Sequence, residues 1–89
     1  MARVIFAQRL AQYGAPAQVE ADGSNAREVV HTALQVYPTL RPYLLDDQGG
    51  LRKHVAIFID GVLLRDRATM REEVAAGSEL YVVQALSGG

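Results

Sequence analysis

Asn25-Ala26-Arg27-Glu28-Val29-Val30-His31-Thr32-Ala33-Leu34-Gln35-Val36-Tyr37-Pro38 is the stretch on which the fold turns. Ala26, Val29, Val30, Ala33, Leu34 and Tyr37 recur at the spacing that puts them on one face of a helix. Arg27, His31, Thr32 and Gln35 fall elsewhere. Asn25 suits the N-cap, and Glu28 three residues on completes a capping-box arrangement, with Ser24 as a competing cap. Pro38 cannot continue a helix, so the spacing predicts one helix from about Ala26 to Tyr37. It has a single apolar stripe, which must be covered by something else in the chain.

The flanking sequence supplies strands. Upstream, Arg3-Val4-Ile5-Phe6-Ala7 is β-branched and aromatic. Gly14 and Pro16 punctuate a turn between Leu10 and Ala17, and Gln18-Val19-Glu20-Ala21 alternates as a returning strand. Downstream, Leu40–Leu45 reads as either a short helical turn or a packed loop. Asp46-Asp47-Gln48-Gly49-Gly50 reads as an exposed, mobile polar loop. His54-Val55-Ala56-Ile57-Phe58-Ile59 is the strongest strand, and Asp60-Gly61 is the dipeptide preferred by a type I′ hairpin turn. Val62-Leu63-Leu64 returns beside it. Arg65–Thr69 is a polar connection. Gly77-Ser78 turns into a last strand, Leu80-Tyr81-Val82-Val83. The order strand, strand, helix, strand, short strand, strand predicts an α+β domain, a mixed sheet of four to five strands on one main helix. The domain spans 1–83, and 84–89 is expected as a flexible C-terminal tail.

Composition narrows the function. Eighty-nine residues hold one small core. The apolar share of 49% is that of a folded chain. A net charge of −1 argues against nucleic acid, which needs a concentrated basic surface. With no cysteine there is no disulfide framework, thiolate metal site or thiol nucleophile. No apolar run reaches the ~20 residues of a membrane span, and Arg3, Gln8 and Arg9 interrupt anything resembling a signal peptide. The expected location is cytoplasmic.

Candidates for catalysis are thin. His31 and His54 lack metal-ligand spacing and an acidic cluster. Asp46-Asp47 lacks the repeating pattern of a calcium loop, and Gly49-Gly50 lacks that of a phosphate loop. Glu72-Glu73 reads as capping or solvating a turn. Arg52-Lys53 with Arg65 and Arg67 reads as ordinary surface charge or a modest docking patch. What remains is the end of the sequence, Gly88-Gly89. With Gly at ~7% of residues, two glycines fall there by chance about once in two hundred chains. Residues without side chains can enter an active site where any Cβ would clash.

In order, these pieces resemble the ubiquitin-like sulfur-carrier family, which includes the small subunit of molybdopterin synthase and the thiamine- and cysteine-pathway carriers. Val4-Ile5-Phe6-Ala7 with Arg9-Leu10 is similar to its opening strand, and Asn25–Val30 through Leu34–Pro38 to its helix. Val55–Gly61 is similar to the central hairpin, Ala76–Val83 to the turn into the last strand, and Ser87-Gly88-Gly89 to the end. Gln84-Ala85 replaces the usual proline-containing pair, and Leu40–Lys53 is longer than in the shortest thiamine-type carriers. The resemblance implies a β-grasp, ubiquitin-like fold and a carrier rather than an enzyme. It implies that an ATP-dependent adenylating enzyme activates Gly89, and that a sulfurtransferase supplies sulfur to form a thiocarboxylate. A sulfur-accepting synthase would then receive the sulfur, for molybdopterin, thiamine, cysteine or a related product. Leu86, Ser87 and Gly88 would enter the partner's active site, no cofactor or metal would be bound, and apolar residues of the exposed sheet face would dock the activating enzyme. The alternatives are a protein modifier joined through Gly89 to target lysines, for which Lys53 is the one internal acceptor, and a non-catalytic β-grasp interaction domain.

Overall fold

A computed structural model of the chain describes residues 1–84. Five strands, β1 (Ala2–Phe6), β2 (Gln18–Ala21), β3 (Val55–Ile59), β4 (Val62–Leu63) and β5 (Glu79–Gln84), form one sheet in the order β2-β1-β5-β3-β4. β1 and β5 run parallel at its centre, and the other neighbours are antiparallel. Helix α1 (Ala26–Val36) lies across one face. A second, one-turn helix, α2 (Arg41–Leu44), follows a 3₁₀ turn at Pro38–Leu40. This is the mixed, helix-covered sheet that the sequence predicts. No helix among the described residues is long and apolar enough to cross a membrane.

The capping residues of α1 divide the work between the two competing candidates. Asn25 Oδ1 accepts the Glu28 N–H at 2.9 Å. Glu28 reaches back not to Asn25 but to Ser24, accepting its N–H at 2.8 Å and its hydroxyl at 2.9 Å. An N-cap such as Asn25 is worth about 1 kcal/mol. The helix ends at Val36 rather than Tyr37, because Pro38 pushes the preceding residue out of the helical region. Ala26, Val29, Val30, Ala33 and Leu34 are buried against Val4, Phe6, Ile57, Leu80 and Val82 of the sheet. A void of about 10 Å³ between them is apolar and at the lower limit for a single water, so it holds no ligand.

Three connections depart from the sequence reading. Gln8–Tyr13 is a 3₁₀ helix, not part of a simple turn. It buries only Leu10 and is closed by Gly14 at φ 94°, a left-handed cap suited to glycine. Tyr13 stacks on Tyr43 with ring centroids 4.2 Å apart, fastening this segment to α2. The 46–50 loop is exposed at Asp46, Asp47 and Gln48 but buried at Gly49 and Gly50. Asp46 Oδ1 accepts the N–H groups of Gln48 and Gly50. A Cβ on Gly49 would lie 3.1 Å from the Arg27 guanidinium, and one on Gly50 3.1 Å from the carbonyl oxygens of Arg67 and Ala68. Those glycines let the loop wedge between α1 and the 67–68 segment. Finally, the 65–72 connection is held by two carboxylates. Glu72 Oε1 accepts the N–H groups of Arg65 and Asp66 at 2.7 and 2.8 Å, and Asp66 accepts the Thr69 N–H and hydroxyl. Met70, fully buried at φ 49°, is joined to α1 through its carbonyl, which accepts the Arg27 N–H.

Candidate functional site

Asp60 and Gly61 both have positive φ, 48° and 85°, as a type I′ turn requires. The turn sets the register of β3 against β4. Asp60 also fixes the start of β5: its N–H donates to the Glu79 carbonyl, and its Oδ1 accepts the Glu79 N–H. The Glu79 N–H, and after it the Ser78 side chain, hold the Asp60 carboxyl below its ordinary pKa.

With that register set, alternation along the strands sorts side chains onto two faces. Leu80 is opposite Val4 and Ile59, and Val82 opposite Phe6 and Ile57; these face α1. Tyr81 is opposite Ile5 and Phe58, Val83 opposite Ala56, and Phe58 opposite Leu63. This second set covers the other face, and among the described residues no helix lies over it. Tyr81 is 43% and Leu63 48% exposed; Ile5, Ala56, Phe58 and Val83 are half-buried. The result is a contiguous apolar surface across four strands, about 15 Å wide at the spacing of neighbouring strands. Its edge carries the Arg3–Glu79 ion pair at 3.1 Å, exposed on both sides and so worth at most about 1 kcal/mol. Contiguous apolar surface of this kind marks interaction sites.

The sequence reading expects outward apolar residues to dock a partner without saying which; the register assigns them. A signal was present. Val55-Ala56-Ile57-Phe58-Ile59 is apolar at every position, where a strand with one wet face would alternate.

Leu86, Ser87, Gly88 and Gly89 lie outside the described residues. Gln84, where the sequence reading starts the tail, is the last residue of β5 and pairs with Val55. Residues 85–89 therefore continue from the strand that carries Tyr81 and Val83.

Several of the other candidates are engaged in holding the fold. Arg52 Nε donates to the Pro42 carbonyl at 2.6 Å, and Arg67 to the Arg52 carbonyl. Two members of the expected basic patch thus act as braces. His31 lies between Arg27 and Arg41, with Nδ1 3.3 Å from an Arg41 nitrogen. Arginine has no acceptor, so this contact uses the imidazole lone pair and needs the neutral ring. Burial first, then the charges of Arg27 and Arg41, lower its pKa. An open groove of about 610 Å³ runs past Ser24, Asn25, Asp60, Arg71, Glu73 and Ser78. Its Ser78 hydroxyl accepts the Ala75 N–H, and its Asn25 and Asp60 side chains cap backbone groups. Among the described residues no three His, Asp or Glu side chains gather as a metal site would require.

A parallel central pair, a crossing helix and antiparallel hairpins on either side define the β-grasp fold of ubiquitin-like proteins. Solved structures agree over essentially the whole chain. The Amycolatopsis orientalis BexX/CysO complex contains a chain that superposes with a TM-score of 0.84 at 20% identity, covering 100% of both chains. SAMP1 from Haloferax volcanii gives 0.78 at 24%, covering 99% of this chain and 98% of that one. Mycobacterium tuberculosis CysO gives 0.81 at 20%, covering 97% and 100%. At these identities the likeness is one of fold. No family model and no curated protein sequence matches the chain.

Proposed function

We propose that this chain is a sulfur carrier, activated at Gly89 by a partner enzyme and docked on it through the outer sheet face. One observation carries the reading. The exposed apolar surface centres on β5, and the sequence continues from β5 over five residues to Gly88-Gly89. A partner seated on Ile5, Phe58, Leu63, Tyr81 and Val83 would hold the strand from which the reactive end departs. Five residues extend at most ~18 Å, enough to enter a cleft while the globule stays outside.

The chemistry needs nothing from the side chains of this chain. The Gly89 carboxylate attacks the α-phosphorus of ATP on the partner, expelling pyrophosphate and forming an acyl-adenylate. Hydrosulfide attacks the acyl carbon, AMP leaves, and a thiocarboxylate results; a persulfide donor would instead give an acyl disulfide, from which a second thiol releases the thiocarboxylate by forming a disulfide with the donor. ATP belongs to the partner's site, and the carrier works in the cytoplasm. The acceptor is a synthase that takes the sulfur into molybdopterin, thiamine, cysteine or a related product. The likeness to CysO supports the carrier role, and the BexX/CysO complex is a precedent for such a fold held by a partner.

Incubation with ATP, a sulfur source and the cognate activating enzyme is expected to raise the intact mass by about 16 Da, oxygen replaced by sulfur. Deleting Gly89 is expected to abolish the gain without changing thermal stability. No gain with any activating enzyme of the source cell would refute the reading. The likeness to Haloferax volcanii SAMP1, a small archaeal modifier protein, favours a second reading in which the acceptor is a lysine of another protein. After trypsin, whose last site here is Arg71, lysines of other proteins would then carry the Glu72–Gly89 peptide.

A further inference from the structure

We propose that a phosphate monoester binds the helix side of the domain, between the guanidinium groups of Arg27 and Arg71. The inference is independent of the reading of Gly89 and goes beyond it. An open pocket of about 390 Å³ is lined by Arg27, Gln48, Ala68, Thr69 and Arg71. That lining holds two full positive charges, a carboxamide and a hydroxyl, and no carboxylate.

Three separate segments meet there, and the fold fixes each. The Ala26 and Arg27 N–H groups donate to the Glu72 and Met70 carbonyls at 3.0 and 2.8 Å, which sets the 70–72 segment against the start of α1. The 46–50 loop enters beside them. Gly49 has no side chain, and the Arg27 guanidinium fills the space next to it, so half-buried Arg27 is held in place. Asp66 turns the 66–71 segment by accepting the Thr69 N–H and hydroxyl and the Arg71 N–H.

The two charges are not offset. Glu28, Asp46, Asp66 and Glu72, acidic neighbours of the lining residues in the chain, are turned to N–H and hydroxyl groups. Asp47 does not line the pocket. Arg71 also borders the groove past Asp60 and Glu73, yet among the described residues the one ion pair is Arg3–Glu79. Arg41, Arg52 and Arg67 donate to groups of the fold; among the described residues the Arg27 and Arg71 guanidiniums make no such bond.

A carboxylate has two coplanar oxygens, which one guanidinium fork satisfies. Two forks from different segments suit a tetrahedral group with several terminal oxygens. Two uncompensated charges suit the about −1.5 to −2 charge of a phosphate monoester at neutral pH. The ester oxygen leaves through the open mouth. Because α1 covers the inner face of the sheet, the pocket lies in the helix layer, away from Phe58 and Tyr81 on the outer face. A partner docked on the outer face leaves it accessible, so one chain can hold both.

The test is an NMR titration of the isotope-labelled full chain at neutral pH and constant ionic strength. Inorganic phosphate and glycerol phosphate are expected to give saturable amide shifts at Gln48, Gly49, Thr69 and Arg71, with Kd on the order of 1 mM for a site open to water. Chloride should not. Arg27→Gln and Arg71→Gln should each weaken binding about tenfold, and Tyr81→Ala should bind as the wild type does. Burial, and then the charges of Arg27 and Arg41, lower the His31 pKa. A dianion beside Arg27 offsets part of that, so the His31 pKa should rise on binding. Shifts that do not saturate, that chloride reproduces or that centre on Arg41 and Arg52 would overturn the inference, as would wild-type binding by both glutamine variants. If Arg27→Gln unfolds the chain, exposed Arg71→Gln decides alone. A phosphoserine peptide with glycine flanks separates the sources. Tighter binding than glycerol phosphate assigns the site to a phosphorylated partner, weaker binding to a free metabolite, and both support it.

Discussion

The two faces of the sheet are cut from the same strands, yet they obey different rules. On the inner face Val4, Ile57, Leu80 and Val82 are at most 2% exposed and meet α1. On the outer face their sequence neighbours Ile5, Phe58, Tyr81 and Val83 are also apolar, but nothing among the described residues packs over them. Folding accounts for the first set through the burial of its apolar area, roughly 1.5–3 kcal/mol per large side chain. It does not account for the second, because an antiparallel hairpin needs only one apolar face. The outer set is surplus to folding, which is why it is read as a docking surface.

Substitutions can break this contrast. The largest effect on stability belongs to Leu80→Ala on the inner face, about 3 kcal/mol in denaturant unfolding, from lost burial and a cavity beside α1. Glu72→Ala, which strips the Arg65 and Asp66 N–H groups of their acceptor, should cost about 1–2 kcal/mol. Tyr81→Ala, one residue from Leu80 but on the outer face, should cost less than about 1 kcal/mol. It should nevertheless weaken binding to the activating enzyme at least about tenfold, by titration calorimetry, as expected of a central aromatic contact. If Tyr81→Ala unfolds the protein as Leu80→Ala does, or binds its partner normally, the contrast between faces is wrong. The smallest effect concerns pH. The folded chain holds His31 neutral below its ordinary value of 6.5, so the unfolded chain binds the extra proton first. Melting temperature should therefore start to fall as pH drops below about 6.5 and continue through the lowered folded pKa. His31→Gln should flatten that part of the profile.

What the sequence discloses of this arrangement follows the range of the forces involved. Asn25, Glu28, Pro38 and Asp60-Gly61 act on backbone within a few residues, so α1 and the β3–β4 turn are legible from them. Gln8–Tyr13 is not, because one buried residue, Leu10, leaves no periodicity to read. Gly49 and Gly50 were equally opaque: their neighbours are Arg27 and the 67–68 carbonyls, distant in the chain. The apolar excess of β3 announces two dry faces, but which residues point outward depends on register, and register depends on pairing across 21 to 76 positions. Gly88-Gly89 lies outside the described residues and is legible only as two adjacent residues without side chains.

The chemistry proposed at Gly89 is the centre of the account, and one measurement addresses it. Top-down fragmentation of the intact protein from its native cells should place a gain of about 16 Da in the C-terminal fragments that contain Gly89. Protein carrying no added sulfur, or found only joined through Gly89 to lysines of other proteins, would contradict the sulfur-carrier account.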